Sequence, residues 1–179
     1  MVTYTRHDGA SAMPLVPALA NLYALVYAEP PYREGPDQVD RFRSSLLEEV
    51  NRPGFTLITA EDGGEPVGAA YGWTMPAGAW WSRADQQPPV EVRDVDKLAV
   101  LEWIVQPDRR GEGIGAELIR RLLADRPERY ATLASDPRSA ARQMYEGAGW
   151  RQVARTTLSW GPAMDLLVLD IPAPQIQHS

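Results

Sequence analysis

Residues 109–122, RRGEGIGAELIRRL, place glycines at 111, 113 and 115 behind Arg109 and Arg110 and ahead of an apolar-periodic run. Glycine is costly inside a helix and common in turns, so this crowding against a helix start needs a reason. A strand, a glycine turn and a helix N-terminus together make an anion site. Backbone N–H groups converge there, and the helix end adds about half a positive charge. Arginines beside it supply charge-assisted hydrogen bonds. The pattern predicts a phosphate or pyrophosphate ligand; a plain tight turn with solvated arginines would need one glycine, not several at alternate positions. A nucleotide-triphosphate loop is excluded, because Gly115 is followed by Ala116 and Glu117 rather than by lysine and a hydroxyl residue. A dinucleotide fingerprint fits on Gly111, Gly113 and Ala116, with Asp136 near a later strand end. Against it, only about 60 residues follow, too few for the remaining strand–helix units.

The elements that must position this stretch are legible from composition and period. The chain has 179 residues, 44% hydrophobic and 23% charged, with a net charge of −6. That balance suits a soluble globular chain and argues against general nucleic-acid affinity. There is no cysteine, and histidine stands only at 7 and 179. Disulfides, thiolate chemistry, a histidine triad and a multi-histidine metal site are therefore not expected. No run of about 18 apolar residues is expected to span a membrane, and the N-terminus lacks a charged-then-apolar signal. A cytoplasmic protein is expected.

A first strand is predicted at 2–6. Leu15, Leu19, Leu22 and Val26 predict a helix over 15–28. A second helix is predicted over 37–50, capped by Asp37, with Val39, Phe42, Leu46, Leu47 and Val50 inward. FTLITA and VGAAYGW read as a hairpin around Asp62-Gly63-Gly64. Residues 74–94 fit neither period and carry Trp80 and Trp81, either as packing or as a substrate wall. KLAVLEWIV, 97–105, reads as a central strand buried on both faces. Ile114, Leu118, Ile119, Leu122 and Leu123 then mark a helix that ends before Pro127. RYATLAS is a strand, Asp136-Pro137 starts another helix, and Gly147 and Gly149 end it. Two strands close the chain around Gly161-Pro162, and the tail is expected to be loose.

Two motifs now carry a resemblance. Arg110, Gly113 and Gly115 form R-x-x-G-x-G, which is similar to the acyl-CoA pyrophosphate loop of the GNAT superfamily of N-acetyltransferases. Residues 139–150, SAARQMYEGAGW, resemble a second segment of that family at Ala141, Tyr145, Gly149 and Trp150. The order of predicted elements follows the family along nearly all of the chain. The resemblance implies an α/β (α+β) fold with a mixed, centrally splayed sheet of about seven strands flanked by about four helices. It implies one domain over 1–172, a loose tail over 173–179, and an acyl thioester in the gap between the strands at 97–105 and 130–135.

The implied reaction is attack of a primary amine, expected to belong to a small molecule, on acetyl-CoA. For CoA the resemblance assigns Trp103, Ile104 and Val105 on the strand, Arg109, Arg110, Gly111, Gly113, Ile114, Gly115 and Ala116 in the loop, and Arg138 and Ala141 further on. A backbone N–H at Val105 would steady the developing oxyanion, and Tyr145 would protonate the leaving thiolate; its ordinary alternative is a half-buried helix tyrosine. The base is sought from the residues themselves. Glu102 lies among apolar neighbours, with Val100 and Ile104 on its own face. A carboxylate there needs a partner or a task, and burial would raise its pKa into a useful range. The alternative is an ion pair with an arginine from 41–43; Asp94, Asp96 and Ser135 are weaker base candidates. Trp73, Trp80, Trp81 and Trp103 would line a cavity for an apolar or cationic amine, or else fill the core. No metal, nucleic acid or membrane partner is implied, and a homodimer is allowed. Two other readings predict different ligands: a non-catalytic acyl-CoA-binding module, and a small dinucleotide-binding protein.

Overall fold

The structure is a computed structural model that describes residues 1–157 and 162–172. It is mixed α/β, with an open sheet of seven strands. The chain divides into two compact units, Met1–Trp73 with Val100–Ala124, and Thr74–Ala99 with Asp125–Ser179.

The first unit opens with β1 (Thr3–His7) and α1 (Gly9–Ala12), which runs through a short turn into α2 (Val16–Tyr27). Then come α3 (Pro36–Glu49), β2 (Thr56–Asp62) and β3 (Glu65–Met75, in this unit as far as Trp73). The unit ends with the later part of β4 (Lys97–Val105) and with α5 (Ile114–Leu123). β1 pairs antiparallel with β2, and β2 with β3. The β2–β3 turn has Gly63 and Gly64 at φ +59° and +83°, the left-handed pair that a two-residue hairpin demands. The core joins Leu19, Leu22 and Val26 of α2 to Phe42 and Leu46 of α3 and to Leu57, Tyr71 and Ile104 of the strands.

The helical run Gly9–Tyr27 is, contrary to expectation, long and apolar enough to cross a membrane by length and composition. Its burial explains the composition: Val16, Leu19, Ala20, Leu22, Tyr23 and Val26 are core residues of this unit. The cap of α3 also differs from expectation. Gly35 is the N-cap and Pro36 opens the helix, so Asp37 lies in the first turn, while the Gln38 side chain accepts the Gly35 N–H at 3.0 Å. Leu47 is exposed at 43%, since one helical step turns it off the Phe42–Leu46–Val50 stripe. Gly68 of β3 seats α5. A Cβ there would lie 3.0 Å from Ile114 Cγ2 and from Leu118 Cδ1, so only glycine allows this approach without displacement.

The second unit holds α4 (Val90–Arg93), the first residues of β4, β5 (Tyr130–Ser135), α6 (Ala141–Gly147), β6 (Arg151–Arg155) and β7 (Asp165–Asp170). β4 runs parallel to β5 at Leu98↔Ala131 and Ala99↔Thr132; β7 pairs antiparallel with both β5 and β6. Residues 158–161, which include part of the expected closing turn, and the expected tail 173–179 lie outside the described residues. The 74–94 segment is tied down within this unit. Gly78 N–H donates to the Arg93 carbonyl at 2.7 Å, Asp85 N–H to the Arg155 carbonyl at 2.7 Å, and buried Lys97 donates to the Arg93 and Val95 carbonyls. α6 begins at Ala141, later than the Asp136-Pro137 signal predicts. Asp136 spends its carboxylate on Arg138, accepting from the backbone N–H at 2.9 Å and from Nη2 at 2.7 Å, which holds a turn there instead of a helix start.

Candidate active site

In the first unit, β4 runs out at Val105 and the next residue, Gln106, still donates its N–H to the Val67 carbonyl at 2.8 Å. Proline at 107 then breaks the strand, and the chain turns through Pro107–Arg109 into the glycine stretch. Gly111 and Gly113 have φ of +82° and +83°, where a side chain is strained. No heavy atom lies within 4 Å of a Cβ built on either, so the space beside both is open. Gly113 is the N-cap of α5 and offers no side chain to its first N–H groups. An open glycine cradle at an uncapped helix N-terminus fits an anionic ligand such as the pyrophosphate of CoA. Gly115 differs: a Cβ there would make ordinary contacts of 3.6 Å with Trp103 and Val105, and its carbonyl accepts the Trp103 indole N–H at 2.9 Å. Ile114 and Ile104 are buried, whereas Ala116 is exposed.

The two arginines already hold carboxylates. Arg109 donates to Glu112 and to Asp62, each at 2.9 Å, and Arg110 donates to Glu29 at 2.9 Å. In the second unit, Arg138 is held by Asp136 and Ala141 opens α6. Tyr145 is half-buried on α6; its ring centre stands 6.3 Å from that of Trp150, whose N–H donates to the Tyr145 carbonyl. The three expected substrate tryptophans fall in both units, Trp73 in the first and Trp80 and Trp81 in the second. Trp73 packs on the first unit's core with the Arg52 guanidinium 4.4 Å above its ring. Trp81 and Trp80 belong to the second unit, where Trp81 donates to Thr132 Oγ1 at 3.0 Å and the Trp80 indole nitrogen is buried. The weaker base candidates have other work: Asp94 pairs with Arg93 at 2.9 Å, Asp96 accepts the Ala77 N–H at 2.9 Å, and Ser135 is buried on β5.

Glu102 borders a cavity of about 280 Å³ built wholly from the first unit. Around it stand Tyr23 of α2, Glu34 in the following loop, Phe42 and Glu49 of α3, and Tyr71 of β3. No ion pair with Arg41 or Arg43 is formed among the described residues; Glu102 accepts instead from the Tyr27 hydroxyl at 2.7 Å. The carboxyl keeps partial exposure but protein atoms crowd it, and this burial pushes its pKa up to about 8. The Tyr27 hydrogen bond opposes the rise, while Glu49 and Glu34 add to it. Burial likewise takes Glu49 up to about 7, against the hydrogen bond from Tyr71. Tyr23 donates to Glu34. Sequence spacing marks Glu102 and misses Glu34, Glu49 and the tyrosines. Tyr23 and Tyr27 are one helical turn apart, a spacing that reads equally well as core.

The strand that leads into the open glycine loop also carries Glu102, which borders the cavity. The chain belongs to the acetyltransferase (GNAT) family, whose profile matches residues 19–150. That membership sets the dinucleotide reading aside. No curated protein matches the sequence. Solved structures share the fold at low identity. Aminoglycoside 6'-acetyltransferase type Ii superposes with a TM-score of 0.66 at 19% identity, over 96% of this chain and 99% of that one. An aminoglycoside 6'-N-acetyltransferase complexed with coenzyme A gives 0.64 at 18%, over 97% and 99%. The PaiA N-acetyltransferase of Thermoplasma acidophilum, in complex with coenzyme A, gives 0.61 at 11%, over 95% and 99%.

Proposed function

We propose that this chain transfers an acetyl group from acetyl-CoA to a primary amine of a small molecule. The observation that carries the reading is Glu102: a high-pKa carboxyl at a cavity, on the strand that leads into the glycine loop. Family membership and the coenzyme A bound to two structural relatives support the donor. The aminoglycoside acetyltransferases support a small acceptor.

Bound acetyl-CoA supplies an acetyl carbon activated as a thioester. An alkyl amine has a pKa of about 10.4 and attacks only as the free base. Glu102 takes that proton, and a pKa of about 8 makes it a usable base near neutral pH. The N–C bond forms as the C–S bond breaks, with the Val105 N–H donating to the acetyl oxygen. The Tyr145 hydroxyl gives its proton to the thiolate and recovers one from solvent. Gly111, Gly113 and the first N–H groups of α5 hold the pyrophosphate.

Thermal shift with acetyl-CoA, then a panel of amines with detection of the free thiol, tests this. Stabilisation by acetyl-CoA and thiol release dependent on an amine are expected. Stabilisation with no release for any amine would leave only a binding module.

A further inference from the structure

Tyr27 closes α2, and its hydroxyl, backbone and ring are all held within the first unit. The hydroxyl donates to Glu102 Oε2 at 2.7 Å. The backbone carbonyl accepts the Glu34 N–H at 2.7 Å, which anchors the loop that follows α2. The ring packs on two others: the Tyr23 ring centre is 4.3 Å away, and Tyr32 meets it edge-on at 4.7 Å. Tyr23 is buried and stacks in turn on Phe42, with ring centres 4.2 Å apart. A ring packed on two neighbours, with its backbone fixed, keeps its hydroxyl in one place.

A hydroxyl on one carboxyl oxygen fixes the turn of the whole group and leaves the other, Oε1, for a proton from the cavity. It also bonds the ionised carboxylate more strongly than the acid, so it eases loss of the proton. Burial and the charges of Glu49 and Glu34 act the other way on Glu102. The remaining groups around the cavity are engaged or exposed: Tyr23 donates to Glu34, Tyr71 to Glu49, and Arg41 is exposed. Tyr27 itself stays a donor, because burial takes its hydroxyl well above the ordinary tyrosine range.

We propose that Tyr27 is a positioning residue for the acetyl transfer: it holds Oε2 of Glu102 so that Oε1 meets the acceptor amine and takes its proton. That proton passes from Oε1 to solvent, while Tyr27 keeps its own. The inference rests on reading Glu102 as the base of the transfer.

Tyr27→Phe keeps the ring and removes the hydroxyl. The lower limb of kcat/KM against pH should move up by about one pH unit, so the rate below that limb falls by up to about tenfold and recovers at high pH. Infrared titration of the Glu102 carboxyl, its band assigned by loss in Glu102→Gln, should shift by the same amount without any substrate. In the Glu102→Gln background, Tyr27→Phe should cost nothing further, because it acts through that carboxyl. A limb and a carboxyl titration that both stay in place overturn the proposal, whatever the loss of rate, and leave the acetyltransferase reading standing. An undiminished further loss in the Glu102→Gln background also overturns it. If no amine releases thiol, the transfer reading fails, and the infrared titration decides whether Tyr27 governs Glu102: a shift upholds that and no shift overturns it. Should Tyr27→Phe not fold, a fluorotyrosine at position 27, whose more acidic hydroxyl donates more strongly, must move the limb and the titration down; unchanged values count against the proposal.

Discussion

Two regions of the first unit use glutamate in opposite ways. Around the glycine loop and α5, carboxylates lie at the surface and are matched by arginines: Asp62 and Glu112 by Arg109, Glu117 by Arg120 and Arg121. Hydrogen bonds from those arginines hold Glu117 down to about 2. In the cavity the carboxylates meet tyrosines, and burial takes Glu102 up to about 8 and Glu49 to about 7. One residue type is thus locked as an anion at the loop and poised to exchange a proton in the cavity. Desolvation, not sequence neighbourhood, makes the difference. At the loop the proposed pyrophosphate would meet backbone N–H groups, whose charge does not titrate.

The largest way to break that contrast is Glu102→Gln, which keeps shape and removes the proposed base. kcat/KM should fall by about 10²–10⁴ at neutral pH, and the loss should shrink as alkaline conditions deprotonate the amine. A loss that is flat with pH would assign Glu102 to orientation, and no loss would remove it from the chemistry. Tyr145→Phe should lower kcat by up to about the same factor while acetyl-CoA affinity holds; a more acidic thiol leaving group should restore part of the rate. Wild-type turnover in that variant, with chemistry rate-limiting, makes Tyr145 a packing residue.

Gly113→Val addresses the loop. With ligand at a hundred times Kd the native chain gains about 2.7 kcal/mol from acetyl-CoA, and the variant should lose most of it. Circular dichroism must first show the variant folded, since valine at φ +83° is strained. A retained thermal shift would move the pyrophosphate elsewhere.

Smaller effects appear in stability. A carboxyl whose native pKa exceeds its ordinary 4.5 stays protonated in the fold while the unfolded chain ionises. Between 4.5 and about 8, rising pH therefore weakens the native state, and the deficit persists above that window. Glu102→Gln should flatten this decline and leave the variant more stable at pH 8, by roughly a few kcal/mol. Parallel melting curves at acid and alkaline pH for both proteins check it. Least of all, Arg120→Ala breaks an exposed pair with Glu117 and should move Tm by no more than about 2 °C.

How much was legible follows the same division. The β2–β3 hairpin, α5 and the strand β4 could be read because each signal is local: a left-handed glycine pair, a helical stripe, an apolar run; of β4, however, only Lys97–Val100 and Ile104 are buried, not the whole strand as expected. Local signals also misled. Asp136-Pro137 has the residues of a helix start, yet Arg138 captured the carboxylate and α6 opened at Ala141. No apolar run of about 18 residues is expected, yet the helical run 9–27 is long and apolar enough by composition, and its buried residues lie in the first unit's core.

By itself the sequence determined the order of elements, the glycine loop at a helix N-terminus and the oddity of Glu102 in an apolar strand. Those features depend on residues within one or two turns of each other, where covalent geometry fixes the neighbours. The cavity was decided by tertiary structure alone. Tyr27 reaches Glu102 across 75 positions, and Glu34 and Glu49 come from a loop and a helix whose own periodicity marks neither as functional. A pKa is set by what surrounds a group in space. Nothing along the chain distinguishes a glutamate that will be packed against tyrosines from one that will meet an arginine in water.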